Sequence, residues 1–257
     1  MATIVLYDDR CATLLRTVQH LPALESLDVY FDGDLGNMRC YPDERHGLPR
    51  CEELAWLRSR SLTQLRVCRL DGPEDANLVR LHGLPELRSC SLRGYGLATE
   101  LNLRIDPYSF KGALKLQELR LNIDENLDIQ PGSLEQLTAL TKLALFACGL
   151  RSVPAGVESL SNTLQVLELR GNERLQIDND AVSAFLQCSE LTRLSLDKEE
   201  LVRCTWENDF GASTCPEQEG YAPAPWSLES VSHLMQLPSA FHKRHGRDLD
   251  VRLKIDI

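Results

Sequence analysis

Two stretches of this chain can be laid over one another without a gap. Leu140, Leu143, Leu145 and Cys148, and then Leu164, Leu167, Leu169 and Asn172, both read L-x-x-L-x-L-x-x-(N/C), and the second begins 24 residues after the first. A fixed period of this length marks a solenoid, in which each unit stacks on its sequence neighbours. Leu143 and Leu145 stand two residues apart, so on a strand both face one side while the residues between them face the other. The Asn or Cys at the ninth place can bond backbone groups where the chain turns out of the strand. One such unit cannot bury its apolar side alone, so folding requires the stack.

The same pattern can be followed along the chain. A first strand is expected at Ile4 to Leu6, then a returning segment carrying Leu14, Leu15, Val18 and Leu21, then a strand at Leu24, Leu27 and Val29. Residues 32–50 exceed what a repeat needs and are rich in Gly, Pro, Asp and Arg, which predicts a loop insertion, followed by a short amphipathic element from Cys51 to Leu57. Further units follow at Leu62, Leu65 and Val67, at Leu87, Cys90, Leu92 and Leu97 with Tyr95 in the ninth place, and at Leu116, Leu119, Leu121, Asp124 and Leu127, continuing on the outer side through Ile129, Pro131, Leu134 and Leu137. After the two units first described come Leu191, Leu194, Leu196 and Leu201, and the interval from Ala181 to Cys188 predicts a helix on the outer side. Residues 202–225 hold no periodicity and read as an irregular insertion, while 226–257 predicts a terminal helix from Trp226 to Phe241 and a last strand at Val251, Leu253 and Ile255. The whole, 1–257, is expected to be a single domain. Its first residues either seal one end of the stack or continue from a longer gene product. The 202–225 insertion is a candidate for shielding the open strand edge at the other end.

The spacing and the ninth-place Asn or Cys resemble the leucine-rich repeat family, over roughly residues 1–201 and 226–257 and most closely from Leu116 to Leu201. The resemblance implies an α/β solenoid with a curved parallel sheet on the concave side and short helices and turns on the convex side. The outer segments SVPAGVESL and QPGSLEQL are most similar to those of intracellular members from plants and green algae. By resemblance the chain is a non-enzymatic protein-protein interaction module that binds its partner on the concave face. Two alternatives come from the same resemblance: the substrate-recognition part of an F-box-type ubiquitin ligase receptor, although no F-box-like segment precedes Ile4, and a cytoskeletal or ciliary scaffold of the axoneme.

Composition narrows the partner classes. A net charge of -10 and a pI near 5.1 argue against nucleic acid and against an anionic membrane surface as partners. The opening MATIVLYDDR has neither the form of a signal peptide nor that of an anchor, and no later stretch approaches the roughly 20 apolar residues of a spanning helix. Nine cysteines lie scattered without a C-x-x-C pair, which suits a reducing compartment, so a cytoplasmic monomer is expected. Cys40/Cys51 and Cys204/Cys215 share one spacing and could each close a loop; pairing there stays open.

Motifs for chemistry are weak. Asp124, Asn126, Asp128 and Glu135 fit four oxygen positions of a calcium loop, but Ile129 stands where that loop needs Gly, and the same residues already serve the repeat. His242 and His245 in HKRHGR read as the charged end of a helix, with no second ligand pair near them. No G-x-S-x-G, H-E-x-x-H, P-loop or G-x-G-x-x-G occurs, so neither an enzyme, a cofactor nor a metal is expected.

The repeat register singles out a surface instead. Counted from the first Leu of each unit, the second, third, fifth, seventh and eighth residues face away from the core. They include Arg66, Arg69, Arg88, Arg93, Arg120, Lys142, Arg170, Arg193 and Lys198, against Glu25, Asp28, Glu118, Glu168 and Asp197. Nine cations less five anions leave +4 on one face of an acidic protein. Mixed charge by chance is one reading. The other is a face complementary to an acidic segment of a protein partner, with Tyr30, Phe31 and Phe146 as apolar anchors.

Overall fold

The computed structural model describes residues 2–7, 17–30, 54–55, 57–70, 77–94, 102–123, 126–196 and 226–252. The leucine spacing becomes a nine-stranded sheet, every pairing parallel: β1 (Ala2–Tyr7), β2 (Leu24–Tyr30), β3 (Gln64–Leu70), β5 (Ser89–Gly94), β7 (Glu118–Ile123), β9 (Lys142–Phe146), β10 (Val166–Glu168), β11 (Arg193–Ser195) and β12 (Asp250–Arg252), in that order. Register aligns the repeats place for place. Leu27, Leu65, Cys90, Leu119, Leu143, Leu167 and Leu194 form one row across seven strands, and all are buried. Val29, Val67, Leu92, Leu121 and Leu145 form the next. Each such leucine removed from water is worth about 1.5 to 3 kcal/mol, so these two rows supply the cohesion that no single unit has. The protein is a leucine-rich-repeat-like α/β solenoid, with this sheet lining its concave side.

The convex side holds an element that the sequence reading missed. β4 (Asn77–Leu78), β6 (Asn102–Ile105) and β8 (Asn126–Ile129) form a second parallel sheet, with Leu103 opposite Leu127 and Ile105 opposite Ile129. Its signal was present in NLRI and NLDI, where Asn-Leu precedes a second apolar residue two places on; in NLVR the register is offset by one, Asn77 standing opposite Leu103. The corresponding place in the following unit reads Leu150-Arg-Ser-Val153-Pro154, and Pro154 has no N–H to give a fourth strand. A short 3-10 turn, Val157–Leu160, takes over there.

Farther on, the outer side becomes helical. α1 (Asn179–Gln187) starts where Asp178 accepts from the Ala181 amide at 2.8 Å, and it buries Ala181, Ala184 and Phe185, as expected of the interval from Ala181 to Cys188. α2 (Leu228–His245) is longer than the expected Trp226 to Phe241 and runs through Pro238. It is capped by Ser227 on the Ser230 amide and closed by Gly246 at φ +68, a left-handed value glycine takes without steric cost. Leu234, Leu237 and Phe241 are its buried face, and the buried Ser230 hydroxyl ties it to the Ile177 backbone. The last strand is Asp250–Arg252; Leu253 and Ile255, expected to continue it, lie outside the described residues, as do the insertions at 32–50 and 202–225, Tyr95, Asp124, and the cysteines 40, 51, 204 and 215.

His242 and His245, read as a helix end, do stand in the last turn of α2. His242 Nδ1 lies 2.9 Å from an Asp248 carboxylate oxygen, and His245 Nε2 lies 2.8 Å from the Leu186 carbonyl. Among the described residues no cluster of His, Cys, Asp or Glu could hold a metal ion, and no helix is long and apolar enough to cross a membrane.

Candidate interaction surface

Side chains on the concave face stand in cross-strand rows. The row at the third place runs Ser26, Gln64, Ser89, Glu118, Lys142, Val166, Arg193 and Asp250, and the fifth-place row runs Asp28, Arg66, Ser91, Arg120, Ala144, Glu168, Ser195 and Arg252. At the seventh place Arg93, Asn122 and Phe146 are in register, and Arg170 follows on the next unit, its carbonyl accepting from the Ala147 amide at 3.0 Å. Six of the nine expected cations therefore share one sheet face: Arg66, Arg93, Arg120, Lys142, Arg170 and Arg193; Arg88 is exposed but lies just ahead of β5, outside these rows. The Arg69 and Tyr30 side chains, and Phe31 and Lys198 altogether, lie outside what is described.

Several of those cations already have carboxylates. Glu118 lies 2.7 Å from the Arg120 guanidinium and 3.5 Å from Lys142 Nζ, while Lys142 also reaches Glu168 at 3.7 Å. Burial alone would raise the Glu118 carboxyl, but Arg120 and Lys142 outweigh it and hold it below the usual range. Asp28 goes the other way: burial raises it, Arg66 offsets only part, and one of its oxygens is buried without a hydrogen bond among the described residues. At the far end Asp250 takes both Arg193, at 3.8 Å, and Arg252, at 2.8 Å. The sequence count had ended the face at Lys198. The short β12 extends it with Asp250 and Arg252, which cannot be seen without knowing that β12 docks beside β11.

Phe146 corrects the expectation of an exposed anchor. It lies on the concave face but is only 6% exposed, and the Arg170 guanidinium lies 5.2 Å from its ring centre. A guanidinium is planar and weakly hydrated, so it covers an aromatic ring with little loss of hydration. Cys90 and Cys188 are free and buried, and burial pushes both thiols up to about 12, which leaves them protonated and unreactive at neutral pH.

No family model matches the chain. Two curated proteins are similar to it: human Volume-regulated anion channel subunit LRRC8E is 32% identical over 190 residues, which is 72% of this chain and 22% of that protein, and the mouse protein of the same name is 33% identical over 138 residues, 53% and 16% respectively. The chain thus spans less than a quarter of the length of either relative. The similarity agrees with the fold in giving this chain leucine-rich-repeat-like units.

Proposed function

We propose that this chain is a non-enzymatic interaction module that receives a protein partner, by way of an acidic segment, on its concave face. The observation carrying this reading is the gathering of six of the expected Arg and Lys side chains on one sheet face of a protein whose net charge is -10. A nine-stranded open sheet supplies a long, rigid surface, and rigidity lowers the ordering cost of binding. The buried thiols of Cys90, Cys148 and Cys188 support placement in the reducing cytoplasm, and the module acts as a monomer without a cofactor. The relatives' channel activity is not carried over, since the shared part is 22% of human LRRC8E at most.

The test is site-specific photocrosslinking in cells. A benzophenone side chain replacing Ser91 on the concave face is expected to capture the partner, and one replacing the exposed Tyr108 on the convex side is not. Capture should weaken as salt rises. Crosslinking from Tyr108 alone, or binding indifferent to salt, would overturn the reading.

A further inference from the structure

The charges of the concave face are not spread evenly. In the third- and fifth-place rows the cations have internal partners: Arg120 and Lys142 share Glu118, Lys142 also meets Glu168, and Arg193 has Asp250. Ion pairs already made attract a further carboxylate weakly, because the net local charge is near zero. Arg170 is different. Its guanidinium has no carboxylate or hydrogen-bond partner among the described residues, and its Nε is buried without one. Glu168, two places earlier on the same strand face, is turned to Lys142.

Arg170 is also held in place. The Phe146 ring lies under the guanidinium, and the Arg170 carbonyl is fixed by the Ala147 amide at 3.0 Å. Beside Phe146, and in register with it, stands the buried Asn122. Three adjacent units thus present an amide, a ring and a guanidinium in one line across the strands, over about 10 Å at the usual strand spacing. A buried N–H left unpaired is unfavourable, and a planar carboxylate is the group that matches a guanidinium fork.

Resting on the reading of the concave face as a protein-binding surface, we infer that Arg170, stacked on Phe146 and flanked by Asn122, is the carboxylate-binding anchor of that face, taking one Asp or Glu side chain of an extended partner segment. The segment lies across the strands, its carboxylate on Arg170 and its backbone within reach of the Asn122 amide. Arg120, Lys142 and Arg193 stay with their internal partners and contribute shape instead.

Nitrogen-15 NMR of the arginine Nε–Hε groups tests this directly, with Arg170→Lys used to assign the Arg170 signal. The probe is a blocked hexapeptide with one Glu among Ser and Gly, against the same peptide with Gln. The Glu peptide is expected to shift the Arg170 Nε–Hε signal and the Asn122 side-chain amide, the Gln peptide is expected to shift neither, and Arg170→Lys is expected to lose most of the affinity while Arg120→Lys keeps it. If the Glu peptide shifts Arg120 or Arg193 and leaves Arg170 unmoved, the anchor is wrong while the concave-face reading stands. If no signal on the face moves with either peptide, both fall.

Discussion

The units 140–148 and 164–172 share every leucine and differ at the last two places, Ala147-Cys148 against Gly171-Asn172. At both eighth places the backbone enters the left-handed region, φ +48 at Ala147 and +70 at Gly171. At the ninth the units part company. The Asn172 amide oxygen accepts from the Cys148 and Leu150 amides at 2.9 and 3.2 Å, and its nitrogen donates to the Leu145 and Leu169 carbonyls at 2.8 and 2.9 Å. The Cys148 thiol lies near the Leu121 and Phe146 carbonyls, but a thiol has one weak proton to give. Asn172 therefore serves the turn of the preceding unit as well as its own, and Cys148 can stand at a ninth place because its neighbour supplies the missing bonds.

The largest effect should be the one the two units share. Leu145→Ala and Leu169→Ala each empty an equivalent buried site and are expected to cost about 2 to 5 kcal/mol by denaturant unfolding, within about 1 kcal/mol of each other. In a stack coupled only through neighbours, either change also uncouples the two ends. Costs as small as that of the exposed Leu114→Ala would show the register to be wrong.

The ninth place should then separate them. Asn172→Ala leaves two buried amides and two carbonyls without their partner, and about 2 to 3 kcal/mol is expected from such unsatisfied groups. Cys148→Ala removes no obligatory partner and should cost about 1 kcal/mol, an ordinary value for a single substitution. Hydrogen exchange at the Cys148 and Leu150 amides is the sharper measurement: both should lose protection in Asn172→Ala and keep it in Cys148→Ala. Equal losses in the two variants would refute the division of labour.

This contrast also marks how far the sequence could be read. The L-x-x-L-x-L spacing made the concave sheet legible nearly strand by strand, because inward places follow a period of two that no other element imitates. The ninth place was legible only as a type. Asn and Cys look interchangeable in one line of sequence, and which of them holds two turns at once depends on the 24-residue offset between stacked units. The second sheet failed for a related reason, since β4, β6 and β8 have two to four residues each and are held by stacking more than by their own pattern. On the concave face, Arg120 and Lys142 were legible as outward cations, but their pairing to Glu118 comes from register between strands. Phe146 was placed on the right face, and only the structure shows Arg170 lying over it.

A smaller effect is expected from the eighth place of the second unit. A Cβ on Gly171 would stand 3.3 Å from the Ala147 amide nitrogen and 3.5 Å from the Ala147 methyl, in a backbone conformation L-residues avoid. Gly171→Ala should therefore lower stability by about 1 to 2 kcal/mol, the usual left-handed strain. A stability equal to that of the parent protein would mean that this turn relaxes freely and that the two units are not in tight register there.

The reverse change at Ala147 is the finest test, because two opposed effects nearly cancel. Ala147 already bears left-handed strain, so Ala147→Gly relieves about 1 to 2 kcal/mol in the folded state. The new glycine also frees the unfolded chain, which costs about 0.4 to 1 kcal/mol. The balance is a gain of about 0 to 1.6 kcal/mol, read as a small rise in the unfolding midpoint. Exchanging the two residues, Ala147→Gly with Gly171→Ala, removes the 3.5 Å methyl contact but keeps the 3.3 Å contact to the backbone nitrogen. The double variant should recover part of the Gly171→Ala loss and not all of it. Full additivity would show that the two turns do not touch, whereas a stability above the parent would show that the strain at Ala147, and not the close approach of the two turns, limits this junction.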